Sequence, residues 1–383
     1  MAKFARNLPS FGWEPSVLTV MDRYREGIDA TTLQDVKELD IIRTIELPSS
    51  RNIYLRLKAI FLSAVKNEKV RMKDLNDSYV TKQKADPITK KEGIFQRLKR
   101  YFISLFMVLP DDKRNWVIPA AFRAVLEVRR RGFDCVITSS PPHSTHLAGL
   151  LVKKLTNVKW IADFRDPWVE NLCEKSPLIR CALSDKAERW MEKKVVENAD
   201  RVITTTEACA DIFKKLYDGK PDGSILCIPN GIDTSKFTNK KEVEKYKEFT
   251  ITYAGTIYEG RTPEPVFKAV RELIKEDRIQ GSDIRIKLVG NCRRIGNEET
   301  TEVVRRWGLD GIVELSAFIP HNEAISIMKR SHLLLLLAPN QPLAIPAKIY
   351  DYFGSGAKIL ALTEDGATSE LIKATDTGVS FTH

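Results

Sequence analysis

The chain has 383 residues, of which 43% are hydrophobic and 29% charged, a composition that excludes a disordered or fibrous protein and allows about two domains. It carries 61 Lys and Arg residues against 51 Asp and Glu, a formal net charge of +10. This excess favours an anionic partner such as a nucleotide, a phospholipid head group or a nucleic acid, without choosing among them. No apolar run reaches the roughly 18 residues of a membrane-spanning helix.

The cysteines and histidines form no metal-binding or redox pattern. No CxxC pair occurs, so we expect reduced, buried thiols in a cytoplasmic protein at Cys135, Cys173, Cys181, Cys209, Cys227 and Cys292. The five histidines make no HExxH motif, and no metal is predicted. The opening residues, Met1–Arg6, lack the apolar segment of a signal peptide.

The first residues predict a short helix followed by a strand. Phe4, Leu8 and Phe11 follow helical spacing, Gly12 ends the helix, and residues 17–20 read as a strand. A doubly wound domain normally opens with a strand and a glycine-rich turn before its first helix. We therefore expect this chain to begin inside that first helix.

Residues 22–113 show little strand pattern and much charged helical pattern. Within 81–100 there are seven basic residues against two acidic ones. Beside them, apolar residues repeat at three and four: Ile94, Leu98, Tyr101, Phe102, Leu105, Phe106 and Leu109. Two interpretations fit, an interfacial helix on an anionic membrane surface through 81–109 and a helix packed on its own domain.

After Pro119, strands alternate with helices of ten to fifteen residues, the pattern of a parallel sheet. The predicted strands of a first series are 135–138, 159–162, 202–205 and 225–228, with helices 121–131, 145–155, 185–197 and 208–216. Those of a second series are 251–254, 284–289, 312–315, 333–337 and 359–362. We predict an α/β fold of two doubly wound, Rossmann-like domains facing a cleft. Their ranges are 1–237, with a helical basic insertion at about 43–115, and 238–383.

In the first domain, two predicted strand ends carry unusual loops. Residues 139–146 bring hydroxyls and free N–H groups to a helix start, where they either cap the helix or hold an anion; the candidates are Ser140, His143 and His146. Residues 163–168 place Asp163, Arg165 and Asp166 together at a strand's carboxyl end. Such a cluster is either a structural clamp or a site.

In the second domain, several predicted strands end in glycine or in a short polar loop. Gly255 and Thr256 follow one strand and precede Arg261, a candidate phosphate ligand. Gly290 follows a second strand and Ile319 a third. The segment 345–356 predicts a helix with Pro346 in its first turn, Gly354 and Gly356 at its end, and Lys348 and Asp351 on one face. This helix either carries a surface ion pair or faces a phosphorylated ligand.

The segment 228–233, Ile-Pro-Asn-Gly-Ile-Asp, with Phe237, resembles the retaining glycosyltransferases of family 4, which have the GT-B fold. Gly255, Gly290 and 346–356 fall in the family's order. Residues 139–142 and 163–168 resemble a bacterial subgroup that acts on cell-surface polysaccharides. The resemblance covers nearly the whole chain.

The resemblance implies that a nucleotide-diphosphate sugar binds the second domain, without a metal, and that a hydroxyl of a glycan or lipid-linked acceptor binds the first. Arg261 and Lys348 would neutralise the charge of the leaving diphosphate. Asp351 would accept hydrogen bonds from the ribose hydroxyls, and Ile319 would contact the base. The catalytic, sugar-side residues would be Asp163, Arg165 and Asp166. The expected location is cytoplasmic, peripheral on the inner face of the cell membrane.

The chain departs from the family at three places. Leu343 stands where the family has a glutamate, eight positions before Asp351. The opening strand with its glycine-rich loop and the C-terminal closing helices are expected to be missing. Two alternatives stay open: a nucleotide-sugar epimerase, and a non-catalytic GT-B scaffold that binds nucleotide or membrane. No nucleic acid partner is expected, because the positive charge is dispersed.

Overall fold

A computed structural model describes residues 2–24, 38–48, 63, 109–169, 182–234, 237, 243–258 and 260–382. The chain divides into two units. The first contains the described residues up to Thr204 together with Ile212–Leu226, and the second contains Thr205–Asp211 and the residues from Cys227 onward. The predicted boundary after residue 237 stays a prediction.

The elements up to residue 227 build the first parallel sheet and its helices. In chain order they are α1 (Ala2–Asn7), β1 (Ser16–Val20), β2 (Asp40–Thr44), α2 (Val117–Arg131), β3 (Cys135–Ser140), α3 (Ser144–Thr156), β4 (Lys159–Phe164), α4 (Ala182–Asn198), β5 (Arg201–Thr204), α5 (Glu207–Leu216) and β6 (Ile225–Cys227). Among the described residues, one sheet has the order β3–β4–β5–β6, and β1 pairs in parallel with β2.

The first unit's core lies between its helices and the sheet. The inward face of α2, including Val117, Ala121 and Val125, packs against Ala148 and Val152 of α3. Helix α2 ends where Gly132 adopts φ 68°, a left-handed conformation in which its N–H donates to the carbonyl of Val128. These contacts fix the start of α3 beside the carboxyl ends of β3 and β4.

The second unit forms a sheet with the strand order of a dinucleotide-binding domain. Its elements are β7 (Phe249–Ala254), α6 (Glu264–Lys275), β8 (Ile284–Val289), β9 (Arg294–Ile295), β10 (Glu298–Glu299), α7 (Thr300–Trp307), β11 (Val313–Ser316), α8 (His321–Arg330), β12 (Leu333–Ala338), α9 (Lys348–Ser355), β13 (Lys358–Thr363), α10 (Ala367–Thr375) and β14 (Gly378–Phe381). The described strands lie in the order β11–β8–β7–β12–β13–β14, all parallel. The order reverses between β7 and β12, which makes their carboxyl ends the topological switch point.

Strand β12 shows why this sheet is buried on both faces. Its run of leucines alternates between two cores, with Leu335 and Leu337 in one cluster and Leu334 and Leu336 in the other. The mixed α/β architecture with two Rossmann-like units agrees with the prediction.

Several predicted details were wrong. Strand β2 falls in a region where no strand was expected, because five residues leave little periodicity to detect. Asp163, predicted to follow its strand, lies inside β4. Gly354 lies within α9, where a Cβ would stand 2.6 Å from the ring of Phe237, and the helix ends at Gly356 instead. Pro346 precedes α9 and accepts a turn hydrogen bond from the N–H of Ile349.

The thiols fit the prediction in part. Cys209 and Cys292 are buried thiols, whereas the thiols of Cys135 and Cys227 are half-buried. Cys173, Cys181 and most of the predicted insertion, including the apolar and basic pattern of 81–108, lie outside the described residues. Of the described helices, none is long and apolar enough to cross a bilayer.

Candidate functional site

The candidate nucleotide-binding residues of the second unit lie near the switch point of its sheet. Gly255 directly follows β7, and Lys348 begins α9 after the loop that leaves β12. Crevices outside the carboxyl ends of strands at a switch point are where open α/β sheets bind ligands. The local topology therefore brings Gly255 and Lys348 to one place, as the sequence predicted.

Two glycines let the backbone pass close to the Lys348 ammonium. Gly255 has φ 149°, and a Cβ there would stand 2.5 Å from Lys348 Nζ. Gly290 has φ 114°, and a Cβ there would stand 2.4 Å from the Gly255 carbonyl oxygen. Any other residue would be strained at either position and would displace its neighbour.

Lys348 carries its ammonium into a buried space without a hydrogen-bond partner. The Nζ atom is buried, no described atom accepts a hydrogen bond from it, and the ring of Tyr253 lies 4.2 Å below it. Burial, and secondarily the charge of Arg261, lowers the pKa of Lys348 to about 7. A buried ammonium without a hydrogen-bond partner favours the binding of an anion.

Arg261 is the second buried cation of this group. Its side chain is buried, its guanidinium lies 4.0 Å over the ring of Tyr258, and its Nε has no hydrogen-bond partner among the described residues. No described carboxylate forms a salt bridge with Arg261 or Lys348. Two buried cations without a counter-charge are costly, so the arrangement favours an anionic ligand.

Tyr253 lies next to both Lys348 and Arg261. It is fully buried at the end of β7, and its hydroxyl donates to the carbonyl of Thr256 over 2.7 Å. Burial raises the pKa of Tyr253 to about 12, so the phenol stays neutral between the two cations. Cys292 donates to the carbonyl of Gly255 over 3.4 Å, and burial raises the pKa of this thiol to about 11.

The loop before α9 is anchored to α10, which fixes where Lys348 lies. The N–H of Ala367 donates to the carbonyl of Pro342 over 2.8 Å, and the Thr368 hydroxyl donates to the carbonyl of Ala344 over 3.0 Å. These bonds hold the chain four to six residues ahead of Lys348. The two hydrogen bonds thus position the segment that leads into Lys348.

Asp351 lies one turn beyond Lys348 on α9 and pairs with a histidine. Its Oδ2 is 3.2 Å from Nε2 of His321, the first residue of α8, which follows the loop containing Ile319. The surface ion pair between Lys348 and Asp351, one of the two interpretations of this helix, is not formed. Nδ1 of His321 is buried without a partner among the described residues.

The first unit gathers a different set of groups at its sheet edge. Ser139 of β3 lies opposite Asp163 of β4, and the Ser139 hydroxyl donates to the Asp163 carboxylate over 2.7 Å. Burial raises the pKa of Asp163 against this bond and the charge of Arg165, and burial also raises the pKa of Asp166. The backbone N–H of Arg165 donates to the carbonyl of Ser140, itself fully buried, so the predicted residues converge here.

The start of α3 is already occupied by a carboxylate from the same chain. Asp111 accepts the N–H of Ser144 over 2.8 Å and the N–H of Lys113 over 2.9 Å. Burial raises the pKa of Asp111 above its ordinary range. The N-cap residue, His143, forms no side-chain capping hydrogen bond, so the carboxylate at the helix start is supplied by Asp111, outside the loop 139–146. Both interpretations of that loop stay predictions.

The two predicted histidines occupy different environments. His143 is stacked on Trp168, with ring centroids 5.0 Å apart and planes 5° from parallel. His146 is fully buried one turn further along α3, where Nδ1 is 2.8 Å from the Thr138 hydroxyl and the ring lies 4.3 Å from Phe164. Burial lowers the pKa of His146 well below its ordinary value, which keeps it neutral. His146 thus lies in the core, and His143 lies beside the loop 163–168.

Four residues of these groups were missed from the sequence: Asp111, Tyr253, Cys292 and His321. Asp111 is distant in sequence from the helix it caps, so no local pattern marks it. Tyr253 lies where a strand residue is expected to belong to the core, and only its place two residues before Gly255 could have suggested a role in the site. His321 follows Pro320 at a helix start, a signal that was available.

Among the described side chains, no group of three or more His, Cys, Asp or Glu could hold a metal ion. The predicted independence from metal stays a prediction.

Comparison with known proteins finds that part of the chain is similar to glycosyltransferases. Residues 85–236 match the family model Glycosyltransferase Family 4. D-inositol 3-phosphate glycosyltransferase from Corynebacterium kroppenstedtii is 23% identical over 194 residues, which are 47% of this chain and 42% of that protein. The Actinosynnema mirum protein of the same name is 26% identical over 136 residues, 34% of this chain and 32% of its own length. The chain spans less than half of these relatives' lengths.

Two solved structures share the fold. Anabaena Alr3699/HepE in complex with UDP-glucose has a TM-score of 0.50 at 16% identity, covering 69% of this chain and 68% of that one. Sucrose-phosphate synthase from Thermosynechococcus elongatus has a TM-score of 0.51 at 16% identity, covering 72% and 67%. With its two parallel-sheet units, the chain has the fold of GT-B glycosyltransferases, as predicted.

Proposed function

We propose that this protein is a retaining glycosyltransferase that moves a sugar from a nucleotide-diphosphate sugar to an acceptor hydroxyl. The observation that carries the proposal is the buried pair Arg261 and Lys348 at the switch point, without a described carboxylate partner. Negative charge develops on the diphosphate as the bond to the sugar's anomeric carbon breaks. Preorganised cations in a water-poor site stabilise that charge most strongly.

The other predicted residues take roles around this pair. The glycine backbones at 255 and 290, with Thr256, leave room for the phosphates, and the loop at Ile319 holds the base. Asp351 accepts hydrogen bonds from the ribose hydroxyls, in part in place of its contact with Nε2 of His321. The Alr3699/HepE structure contains UDP-glucose, which supports a nucleotide sugar as donor.

The first unit supplies the acceptor side in this proposal. Asp163 and Asp166, whose pKa values burial raises, flank Arg165 and suit hydrogen bonding to sugar or acceptor hydroxyls. Ser140 and His143 belong to the same edge, and His146 supports it from the core. We extend the proposal to glycans of the cell surface or lipid-linked glycans made on the cytoplasmic face of the membrane.

A nucleotide panel tests this proposal. Binding of UDP, GDP, ADP and their common sugars is measured by calorimetry on the wild-type chain, Lys348→Ala and Asp351→Ala. The matched controls are Lys373→Ala and Asp310→Ala, exposed residues of the same unit. We expect one base to bind saturably, with loss in both site variants and none in the controls.

Transfer assays with that donor follow, using sugar, lipid-linked and inositol phosphate acceptors, and the product's anomeric configuration reports retention. Nucleotide binding without transfer would favour the non-catalytic GT-B scaffold, an alternative to which the leucine at position 343 points. Folded protein that binds no nucleotide would overturn the donor site itself.

A further inference from the structure

The loop before α9, residues 339–347, is held at a third point by a threonine from much earlier in the chain. The hydroxyl of Thr206 donates to the carbonyl of Leu343, 137 positions later, over 2.6 Å. Thr206 lies two residues after β5, yet the segment Thr205–Asp211 belongs to the second unit, as does Leu343. This contact adds a residue that no sequence motif marked to the surroundings of Lys348.

Thr206 also caps the helix that follows it. Its Oγ1 accepts the backbone N–H of Cys209 over 3.1 Å, which is the hydrogen bond of an N-cap residue at the start of α5. Capping requires an acceptor alone, so the bond that the same hydroxyl donates to Leu343 is additional to it. The side chain of Thr206 is 4% exposed, so water competes little for either bond.

Three consecutive carbonyls of the loop 339–347 accept hydrogen bonds from other elements. Besides Leu343, the carbonyl of Pro342 accepts the N–H of Ala367, and the carbonyl of Ala344 accepts the Thr368 hydroxyl. Carbonyls of surface loops commonly bond to water instead. The loop is thus fixed from two sides, by the start of α10 and by the start of α5.

These bonds matter for Lys348 because its ammonium makes none of its own. Nζ is buried without a described hydrogen-bond partner, and the described groups that face it are Tyr253, Arg261 and Cys292. Burial raises the pKa values of Tyr253 and Cys292, so neither offers a negative charge. Such an ammonium would gain hydration by moving toward water. The contacts that keep it buried must therefore lie in the segment that carries it.

We propose that Thr206 is a positioning residue of the nucleotide site: through the carbonyl of Leu343 it holds the segment that carries Lys348. The contact stands by itself, whereas its effect on nucleotide binding rests on the proposed function. Loss of the Thr206 hydroxyl should let the loop move and the ammonium reach water, which raises the pKa of Lys348 from its value of about 7.

Urea unfolding of the nucleotide-free chain between pH 7 and pH 9 tests the positioning role. The folded-state pKa of Lys348 lies below that of the unfolded chain, so this lysine makes the free energy of unfolding rise with pH over this range. Its share of the rise is the difference between each protein and the same protein carrying Lys348→Met. We expect Thr206→Gly to reduce that share by about 40%.

Two further substitutions separate the bond to the loop from the cap. Glycine serves well at an N-cap, so Thr206→Gly removes the bond to Leu343 with little loss at the start of α5. Thr206→Val keeps the volume of the side chain and should act in the same direction. Thr206→Ser keeps the hydroxyl and should restore the wild-type rise with pH.

Calorimetry with whichever of UDP, GDP and ADP binds measures the consequence for the site. At pH 8, proton uptake on binding should fall from about 0.9 in the wild type to about 0.5 in Thr206→Gly, because more of the Lys348 ammonium is already charged. At pH 6 the lysine is charged in both proteins, and affinity should fall about fivefold because the ammonium is no longer held in place. Thr206→Ser should recover both values.

The matched control is Thr156→Val at the end of α3. Thr156 has the same pair of bonds, donating to the carbonyl of Val152 over 2.7 Å and accepting the N–H of Val158 over 3.3 Å. Its loss should lower stability and leave the Lys348-dependent rise and the proton uptake unchanged.

Three results would overturn the proposal: a wild-type rise and uptake in Thr206→Gly, a serine variant that fails to recover them, and equal changes in Thr156→Val. If the wild type binds no nucleotide, the proposed function fails, and the unfolding experiment alone decides whether Thr206 positions Lys348.

Discussion

The carboxyl edges of the two sheets handle charge in opposite ways. In the second unit, Lys348 and Arg261 are buried cations with no described counter-charge. In the first unit, carboxylates gather, and the start of α3 is filled by Asp111 from the same chain. Both edges come from parallel strands, so the difference lies in the loops.

This contrast shows what each edge is suited to bind. At the second edge, burial and secondarily the charge of Arg261 lower the pKa of Lys348, and no described carboxylate compensates the two cations, which fits a diphosphate. At the first edge, Asp111 already occupies the start of α3 and burial raises the pKa values of Asp163 and Asp166, which fits neutral hydroxyls. In the proposed function, the charged donor and the uncharged acceptor follow from these two environments.

Of the substitutions considered, removal of Lys348 should have the largest effect on nucleotide binding by the second unit. For Lys348→Met we expect nucleoside diphosphate affinity to fall about 100-fold or more, because the phosphate loses a desolvated cation. Calorimetry measures the loss, with Lys373→Met as the matched exposed control. Undiminished affinity in Lys348→Met would remove this lysine from the site.

The same variant should be more stable than the wild type. The unfolded chain keeps the Lys348 proton up to a pKa of about 10.4, whereas the folded chain keeps it only up to about 7. Between these values the unfolded state binds more protons, so this group's contribution to the free energy of unfolding rises with pH. Lys348→Met should gain up to about 4 kcal/mol at pH 7, and the gain should vanish near pH 10 in urea unfolding.

Raising the pH should weaken nucleotide binding in the wild type. Above pH 7 the free protein loses the Lys348 proton, so the affinity should fall about 50-fold between pH 7 and pH 9. Titrations at several pH values measure the slope. In Lys348→Met the slope should disappear, and a slope retained by that variant would assign the titration to another group.

A methyl group at Gly255 should disturb the site more mildly. Its Cβ would stand 2.5 Å from Lys348 Nζ at a φ of 149°, so Gly255→Ala should weaken nucleotide binding about tenfold and lower stability. Gly231→Ala, with no atom near the added Cβ, is the control for binding and melting temperature. Equal behaviour of the two variants would contradict the close approach.

The first unit should respond in stability alone. Asp111→Ala removes the acceptor for two backbone N–H groups at the start of α3, and we expect a loss of about 1–2 kcal/mol in the free energy of unfolding. Asp111→Asn keeps one acceptor oxygen and should recover part of the loss. Nucleotide affinity should stay at the wild-type value in both, which distinguishes the two edges.

The sequence predicted the alternation of strands and helices well, because buried runs such as Leu333–Ala338 and helices of ten or more residues carry strong periodicity. It also predicted Gly255, Arg261 and Lys348 as one group, since parallel strands end at a common edge. It could not show that Lys348 is unpaired and that Asp351 pairs with His321, because those contacts depend on where α8 and α9 pack.

Two features of the first unit could not be predicted because they depend on residues distant in sequence. Asp111 caps a helix that begins 33 positions later in the chain, a separation that no sequence pattern spans. The burial of His146 likewise depends on Thr138 and Phe164, which belong to two different strands. Short strands such as β2 escape because five residues give too few repeats.

The central claim is that Lys348 is buried, partly deprotonated near pH 7, and binds a phosphate of the nucleotide in its protonated form. Proton uptake on nucleotide binding tests this claim most directly. Calorimetry at pH 8 in buffers of different ionisation enthalpy, with whichever of UDP, GDP and ADP binds, gives the number of protons taken up. A pKa of about 7 predicts uptake of about 0.9 proton by the wild type and none by Lys348→Met. Binding without proton uptake by the wild type would mean that Lys348 is already charged, and would contradict the account.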